Sequence, residues 1–295
     1  VDILKVADQN PLNSNQVWLM YVESPRAKLD YQTGSVGTGK WNREHIYPQS
    51  RGGFSNATSE VADGINVWLP TSADDIATGH ADAHHLRAED GPENTNRSNK
   101  DYGLTGYNGP NGNQGSWKGD VARALFYMAV RFNGLNVVNG DPSEYMADGV
   151  TPSGEIGDLA TLLNWNTQDT ADDYEMNRNN VIYNWQHNRN PFIDMPLLAD
   201  YVFGAHYGDV WNNALVNESF TTSTIKVYPN PTTDYLVVDG FNGNTQVEIY
   251  NVTGQKVLEQ TIFGTAQIHF DLQAGIYYVK SQNALGSSLN KVIVK

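Results

Sequence analysis

The sequence predicts an α+β domain followed by a small all-β sandwich, on three observations. Residues 120–132 (DVARALFYMAVRF) carry apolar side chains at 121, 124, 125, 128, 129 and 132, the recurrence of one helical face. Near residue 220 the composition changes, from a region rich in Asn, Asp and Trp to one of short alternating apolar runs. Turn residues punctuate those runs at regular spacing. With 295 residues, 39% of them hydrophobic and 18% charged, the chain has the length and balance for one medium domain and one small one.

Taken in order, residues 17–22 form an apolar, β-prone run, and residues 41–47 are a second strand candidate. Long irregular loops such as 108–116 (NGPNGNQGS) separate these from the helical half. Residues 156–165 and 171–186 show helical faces like that of 120–132, and 196–203 adds a short helix. The polar segment 219–226 reads as a linker between a domain at 1–218 and one at 227–295. In the latter, strands are expected at 236–238, 247–250, 267–270, 276–279 and 291–294, with Thr253-Gly254 and Ala274-Gly275 as turns. So many short strands in about 70 residues predict an immunoglobulin-like sandwich.

Composition excludes several chemistries. The chain has no cysteine, which removes disulfides, thiolate catalysis and thiolate-held zinc or iron–sulfur clusters. No apolar run approaches the roughly 18–20 residues that span a bilayer. Nineteen basic and 33 acidic residues give a net charge of −14. From Ser223 onward five bases balance five acids, so the 14 bases and 28 acids of residues 1–222 carry the whole charge. A surface of that sign repels polyanions on average, so polyanion chemistry here requires a local cationic site or a bound metal ion. The chain begins at Val1 without a charged-then-apolar leader, as expected of a processed protein or of a fragment.

The densest chemistry lies in Asn42-Arg43-Glu44-His45. A Glu-His pair alone is common, and its neighbourhood decides its meaning. The stretch 41–52 (WNREHIYPQSRG), the block 82–87 (DAHHLR), the block 94–99 (NTNRSN) and the segment 177–196 (NRNNVIYNWQHNRNPFIDMP) follow one another along the chain. In that order they closely resemble the signatures of the endonuclease I family, secreted or periplasmic nucleases with a ββα-metal (His-Me) finger. The resemblance covers roughly residues 8–200.

It implies that His45 is the general base that takes a proton from water, a role an imidazole titrating near pH 6.5 suits. It also implies that Glu44 and Asn94 ligate one divalent ion, and two oxygen ligands plus waters suit Mg²⁺ or Mn²⁺. Asn96 competes with Asn94 for that place. Adjacent side chains on a strand alternate faces, so Glu44 and His45 are expected at a frayed end or bulge, with backbone strain. Arg51 is a candidate for stabilising charge on the phosphate. Arg43, Arg97, Arg178 and Arg189 are candidate substrate contacts; Arg97 has bracing of an acid as its alternative, and Arg178 and Arg189 have buried salt bridges. Asp82 and His84 are expected to support the finger. The acidic pairs Asp74-Asp75, Glu89-Asp90 and Asp172-Asp173 are candidates for structural Ca²⁺. The N-terminal helix of many relatives is expected to be missing. The function implied is hydrolysis of DNA and RNA with little sequence preference, leaving 5′-phosphates. The alternatives are a mainly RNA-directed nuclease and an inactive surface protein that binds nucleic acid.

The C-terminal segments 227–234 (VYPNPTTD), 247–257 (VEIYNVTGQKV), 272–279 (LQAGIYYV) and 291–295 (KVIVK) together resemble the C-terminal sorting domain of the type IX secretion system of Bacteroidetes. That implies the secretion machinery as a partner and a secreted or cell-surface location. A carbohydrate-binding or adhesion sandwich is the competing reading, against which stand few platform-like aromatics and a neutral charge.

Overall fold

The computed structural model describes residues 1–54, 61–103, 105–211, 226–239, 244–283 and 286–295. The chain divides into two units, Val1–Trp211 and Asn212–Lys295. The expected linker 219–226 lies outside the described residues except for Lys226, which opens a strand.

In the first unit the chain runs through α1 (Asp2–Ala7), an antiparallel hairpin of β1 (Gln16–Leu19) and β2 (Ser24–Ala27), β3 (Trp41–His45) and α2 (Gln49–Gly52). It continues through β4 (Leu86–Asp90), α3 (Gly91–Arg97), α4 (Lys118–Arg131), β5 (Asn136–Val137) and β6 (Glu155–Ile156). Four helices complete it: α5 (Leu159–Gln168), α6 (Asp173–Gln186), α7 (Pro191–Asp194) and α8 (Leu198–Val202). The described chain opens on the short helix α1.

The helices begin where capping chemistry allows. Asp158 accepts a hydrogen bond from the Thr161 amide at 3.2 Å and Asp172 one from the Glu175 amide at 2.9 Å. Those caps move the starts of α5 and α6 to Leu159 and Asp173, and residues 155–156 pair as a strand instead. At the other end His187 takes a left-handed conformation (φ 59°) and stops α6. The apolar face of α4 is buried through Val121, Leu125, Phe126 and Met128, which pack in one core with Tyr21, Tyr47, Tyr102, Trp117, Trp165 and Phe192. Each such side chain contributes roughly 1.5–3 kcal/mol on burial.

The segment that organises the site is β3–β4–α3. The two strands are antiparallel, with Trp41 opposite Asp90 and His45 opposite Leu86. Asp90 then accepts a hydrogen bond from the Glu93 amide at 3.2 Å, so α3 begins directly where β4 ends, with Pro92 in its first turn.

In the second unit one sheet has the order β10 (Lys256–Phe263), β9 (Asn244–Asn251), β12 (Gly275–Asn283) and β13 (Gly286–Val294). The other has the order β11 (Ala266–His269), β8 (Tyr235–Asp239) and β7 (Lys226–Tyr228). All their pairings are antiparallel. Leu236, Val238 and Ile268 from one sheet share a core with Val247, Ile249, Val279 and Val292 from the other. The five expected strands are found within β8, β9, β11, β12 and β13. β10 escapes the alternation rule because it is an edge strand on which Ile262 alone is fully buried.

Candidate active site

β3 ends at His45, and the chain turns immediately through Pro48 into α2. The C-terminal half of α3 lies alongside, and the two bound an open cleft of about 550 Å³ whose lining includes Arg43, Glu44, His45, Gln49, Asn94 and Glu144. Glu44 and His45 therefore reach one cleft. The strain expected there is absent: neither residue has positive φ, and the register of β3 against β4 is unbroken. His45 is the last strand residue, which frees its side chain from strict alternation. The positive φ in this region belongs to Ser98 (53°), which ends α3 at the cleft.

The His45 tautomer follows from its partners. Nε2 lies 3.0 Å from the His80 carbonyl oxygen, which only accepts, so Nε2 carries the proton. Nδ1 is then the lone-pair nitrogen, and it accepts from the Gln49 amide at 3.1 Å. Burial, with His85, His80 and Arg43 nearby, pushes this imidazole well below its ordinary pKa and keeps it neutral at pH 7.

Glu44 is buried. Its Oε1 accepts from the Tyr21 hydroxyl at 2.8 Å and lies 3.5 Å from Arg97 Nε, and its Oε2 has no hydrogen-bond partner among the described residues. Burial raises its carboxyl to about 7, although Arg97 and the Tyr21 hydroxyl oppose the shift. The Tyr21 hydroxyl is also 2.6 Å from that of Tyr102.

Asn94 donates from Nδ2 to Asn42 Oδ1 at 2.7 Å and to the Arg43 carbonyl at 3.1 Å, which leaves its Oδ1 with no hydrogen-bond partner among the described residues. Asn96, the rival, is exposed and bonded to Glu93 at 3.1 Å, and it does not line the cleft. A carboxylate oxygen and an amide oxygen without hydrogen-bond partners are hard donors, the type Mg²⁺ or Mn²⁺ takes alongside water. Among the described residues no three His, Asp or Glu are grouped so as to hold a metal ion, so water and phosphate oxygens would complete the shell of any ion on these two donors.

Arg43 is half-buried and lines the cleft, whereas the other candidate arginines bond to the protein's own acceptors. Arg51 is buried. It donates to the carbonyls of Asn99 (2.7 Å), Pro142 (3.0 Å) and Glu155 (3.1 Å) and to Asp101 (2.7 Å), which engages its guanidinium in protein acceptors. Arg97 is buried over the Tyr102 ring, donates to the Ile46 carbonyl at 2.7 Å and braces Glu44. Arg178 is buried against Asp8 at 2.7 Å, in an ionic network with Arg87, Asp120, Arg123 and Glu175. Arg189 lies beyond the end of α6 and pairs with Asp194 through both oxygens, at 2.7 and 2.6 Å. For Arg97 and Arg178 the bracing alternative describes the geometry.

Asp82 and His84 are buried below the cleft. Asp82 accepts from Tyr127 at 2.8 Å and from Gln186 at 3.0 Å, and His84 Nε2 meets Asn188 Oδ1 at 3.2 Å. Four of the six acids considered for Ca²⁺ have other partners. Asp74 accepts from Asn133, Glu89 from the Tyr21 amide, Asp90 from Arg26, and Asp172 caps α6. Sequence reasoning missed Tyr21, Tyr102 and Glu144, which no local motif connects to residues 44–45. Gln49, four residues after His45, lay inside the quoted motif and carried a signal that proximity alone would have found.

Comparison with known proteins places both parts of the chain in families. The model of the endonuclease I family matches residues 1–197, and that of a secretion system C-terminal sorting domain matches residues 226–295. The chain is 40% identical over 214 residues to an extracellular ribonuclease of Bacillus amyloliquefaciens, covering 68% of this chain and 65% of that protein. It is 39% identical over 215 residues to an extracellular ribonuclease of Bacillus subtilis, covering 68% and 66%. It thus spans about 65% of the length of the curated relatives it matches. Among solved structures, PorZ and latent PorU of Porphyromonas gingivalis match 26% and 24% of this chain, and 12% and 9% of their own. Their identities are 19% and 22%, and TM-scores of 0.23 and 0.20 carry no argument about the fold. The sorting domain marks the protein for secretion or display at the cell surface. By the match across its first 197 residues, the chain belongs to the endonuclease I family.

Proposed function

We propose that this protein is a divalent-metal-dependent endonuclease that hydrolyses phosphodiester bonds of RNA and DNA with little sequence preference. β3, β4 and α3 are read as the ββα-metal finger, and the two C-terminal sheets as the immunoglobulin-like sorting module. One observation carries the reading: His45, whose lone-pair nitrogen is Nδ1, lines one open cleft together with Glu44 and Asn94. Glu44 and Asn94 would hold the ion. When bound, it neutralises charge on the phosphate and on the departing oxygen.

The chain's own residues do the rest. His45 Nδ1 takes a proton from water as the water oxygen bonds to phosphorus and the bond to the 3′-oxygen breaks, leaving a 5′-phosphate. The His80 carbonyl holds the ring in the tautomer that exposes Nδ1 and stabilises the imidazolium that forms. Arg97 and Tyr21 orient Glu44, and Arg43 is the cationic side chain lining the cleft. His45→Ala should lower turnover by about three orders of magnitude, the upper range for a general base. Normal turnover by a folded His45→Ala protein would remove the assignment.

A mainly RNA-directed enzyme is the second reading, favoured by two relatives named extracellular ribonucleases. Side-by-side digestion of duplex DNA and single-stranded RNA separates it from the first.

A further inference from the structure

The cleft holds a second carboxylate, Glu144, that no step above uses. Its backbone belongs to a narrow loop closed by hydrogen bonds from the Ser153 amide to the Glu144 carbonyl (2.9 Å) and from the Met146 amide to the Thr151 carbonyl (2.8 Å). Arg51 anchors the loop's base. Its side chain reaches the carbonyls of Pro142 and Glu155, and its own carbonyl accepts from the Gly154 amide at 3.0 Å. The Tyr47 hydroxyl adds a bond to the Gly154 carbonyl at 2.6 Å. Glu144 is therefore presented to the cleft from a fixed support. Partial burial pushes its carboxyl up, but donors from Ser50, Asn99 and Tyr145 outweigh that and hold it ionised.

An ionised carboxylate only accepts hydrogen bonds, which limits what it can face on a nucleic acid. Phosphate oxygens are anionic acceptors and are repelled. An internal deoxyribose offers no donor at all. Base amino groups donate, but they differ from base to base and are missing from uracil and thymine. The donor that every internal ribonucleotide carries, whatever its base, is the 2′-hydroxyl. We propose that Glu144 accepts a hydrogen bond from the ribose 2′-hydroxyl of a nucleotide bound in the cleft and thereby makes RNA the preferred substrate. This rests on the nuclease reading above. A deoxyribose offers no donor for the acceptor's remaining lone pair, and sites built to bond a hydroxyl discriminate against analogues that lack it.

The test uses the full chain with Mg²⁺ and three 5′-labelled single strands of one sequence: all-deoxy, all-ribo, and all-deoxy with a single ribonucleotide. Wild type should cut the all-ribo strand with kcat/KM about tenfold above the all-deoxy strand, and should cut the mixed strand mostly beside its ribonucleotide. Glu144→Ala should collapse the ribo-to-deoxy ratio towards one, and Glu144→Gln, whose amide oxygen still accepts but without charge, should lower it part of the way. Replacing the lone 2′-hydroxyl by 2′-fluoro, which keeps an acceptor and loses the donor, should abolish the local preference without any change to the protein. A ratio unchanged in both variants overturns the proposal. So does a parallel loss on all substrates with a raised Mg²⁺ requirement, which would make Glu144 part of a cation site. Wild type inactive on every strand would instead remove the nuclease reading itself.

Discussion

Tyr21→Phe isolates the support of the candidate ion site, because it deletes one oxygen and leaves the ring in place. That ring packs edge-on against Tyr107 and Trp117, with centroids 4.8 and 5.0 Å apart, contacts that phenylalanine keeps. The loss is the 2.8 Å bond to Glu44 Oε1. Tyr102 is not stranded, since its hydroxyl can turn to the Ile46 carbonyl 3.2 Å away. A hydrogen bond to a charged group is worth about 1.5–3 kcal/mol, so the unit should lose about 2 kcal/mol and melt roughly 4–8 °C lower. Removing a residue that orients a metal ligand typically costs 10–100-fold in metal affinity. The assay is cleavage against Mg²⁺ concentration. The midpoint should rise by about tenfold or more, and the rate at saturating ion should stay within about threefold of wild type. An unchanged midpoint with a lowered saturating rate would refute the reasoning, because Tyr21 would then act on the chemistry rather than through Glu44.

Arg51→Ala should destabilise the protein by about 3–5 kcal/mol, because it leaves Asp101 buried without its guanidinium. Collapse of activity with an unchanged melting curve would restore the phosphate-binding role. Asn94→Ala should raise the Mg²⁺ requirement, whereas Asn96→Ala should not; the reverse in the same titration would exchange the two residues. His84 is buried and held neutral, with burial pushing it down to about 4 despite Asp82 nearby. A histidine with a depressed folded pKa contributes stability that is present above about 6.5 and lost as the pH falls towards 4. Denaturant melts at pH 7.5 and 5 should therefore show a smaller acid-induced loss for His84→Gln than for wild type, by about 2 kcal/mol. Equal losses would mean that His84 titrates normally in the folded protein.

Local rules reached far in this chain. Residues 120–132 announced α4 because an amphipathic helix writes its period into the sequence, and the inward-facing runs of the C-terminal unit announced five of its seven strands. β7 and β10 stayed silent: both are edge strands, and on β10 a single residue is fully buried, so nothing forces alternation there. Glu44 and His45 were legible as candidates because they are adjacent in one motif, and Asn94 because the block 94–99 fixes its register. The arginines stayed ambiguous because a guanidinium is equally suited to a phosphate and to buried carbonyls. Only the position of Asn99, Pro142 and Glu155 around Arg51 tells which it meets.

The sequence by itself determined the two-part organisation and the family, and it singled out Glu44, His45 and Asn94 as candidates for acid–base and oxygen-donor chemistry, because those depend on composition, periodicity and short spacing. Tertiary structure alone decided what surrounds them. It set the tautomer of His45 through a carbonyl 35 residues away, the support of Glu44 by a tyrosine 23 residues upstream, and the delivery of Glu144 to the same cleft. Such contacts join segments whose separation along the chain carries no pattern, and they exist only once packing of the core has closed the loops between them.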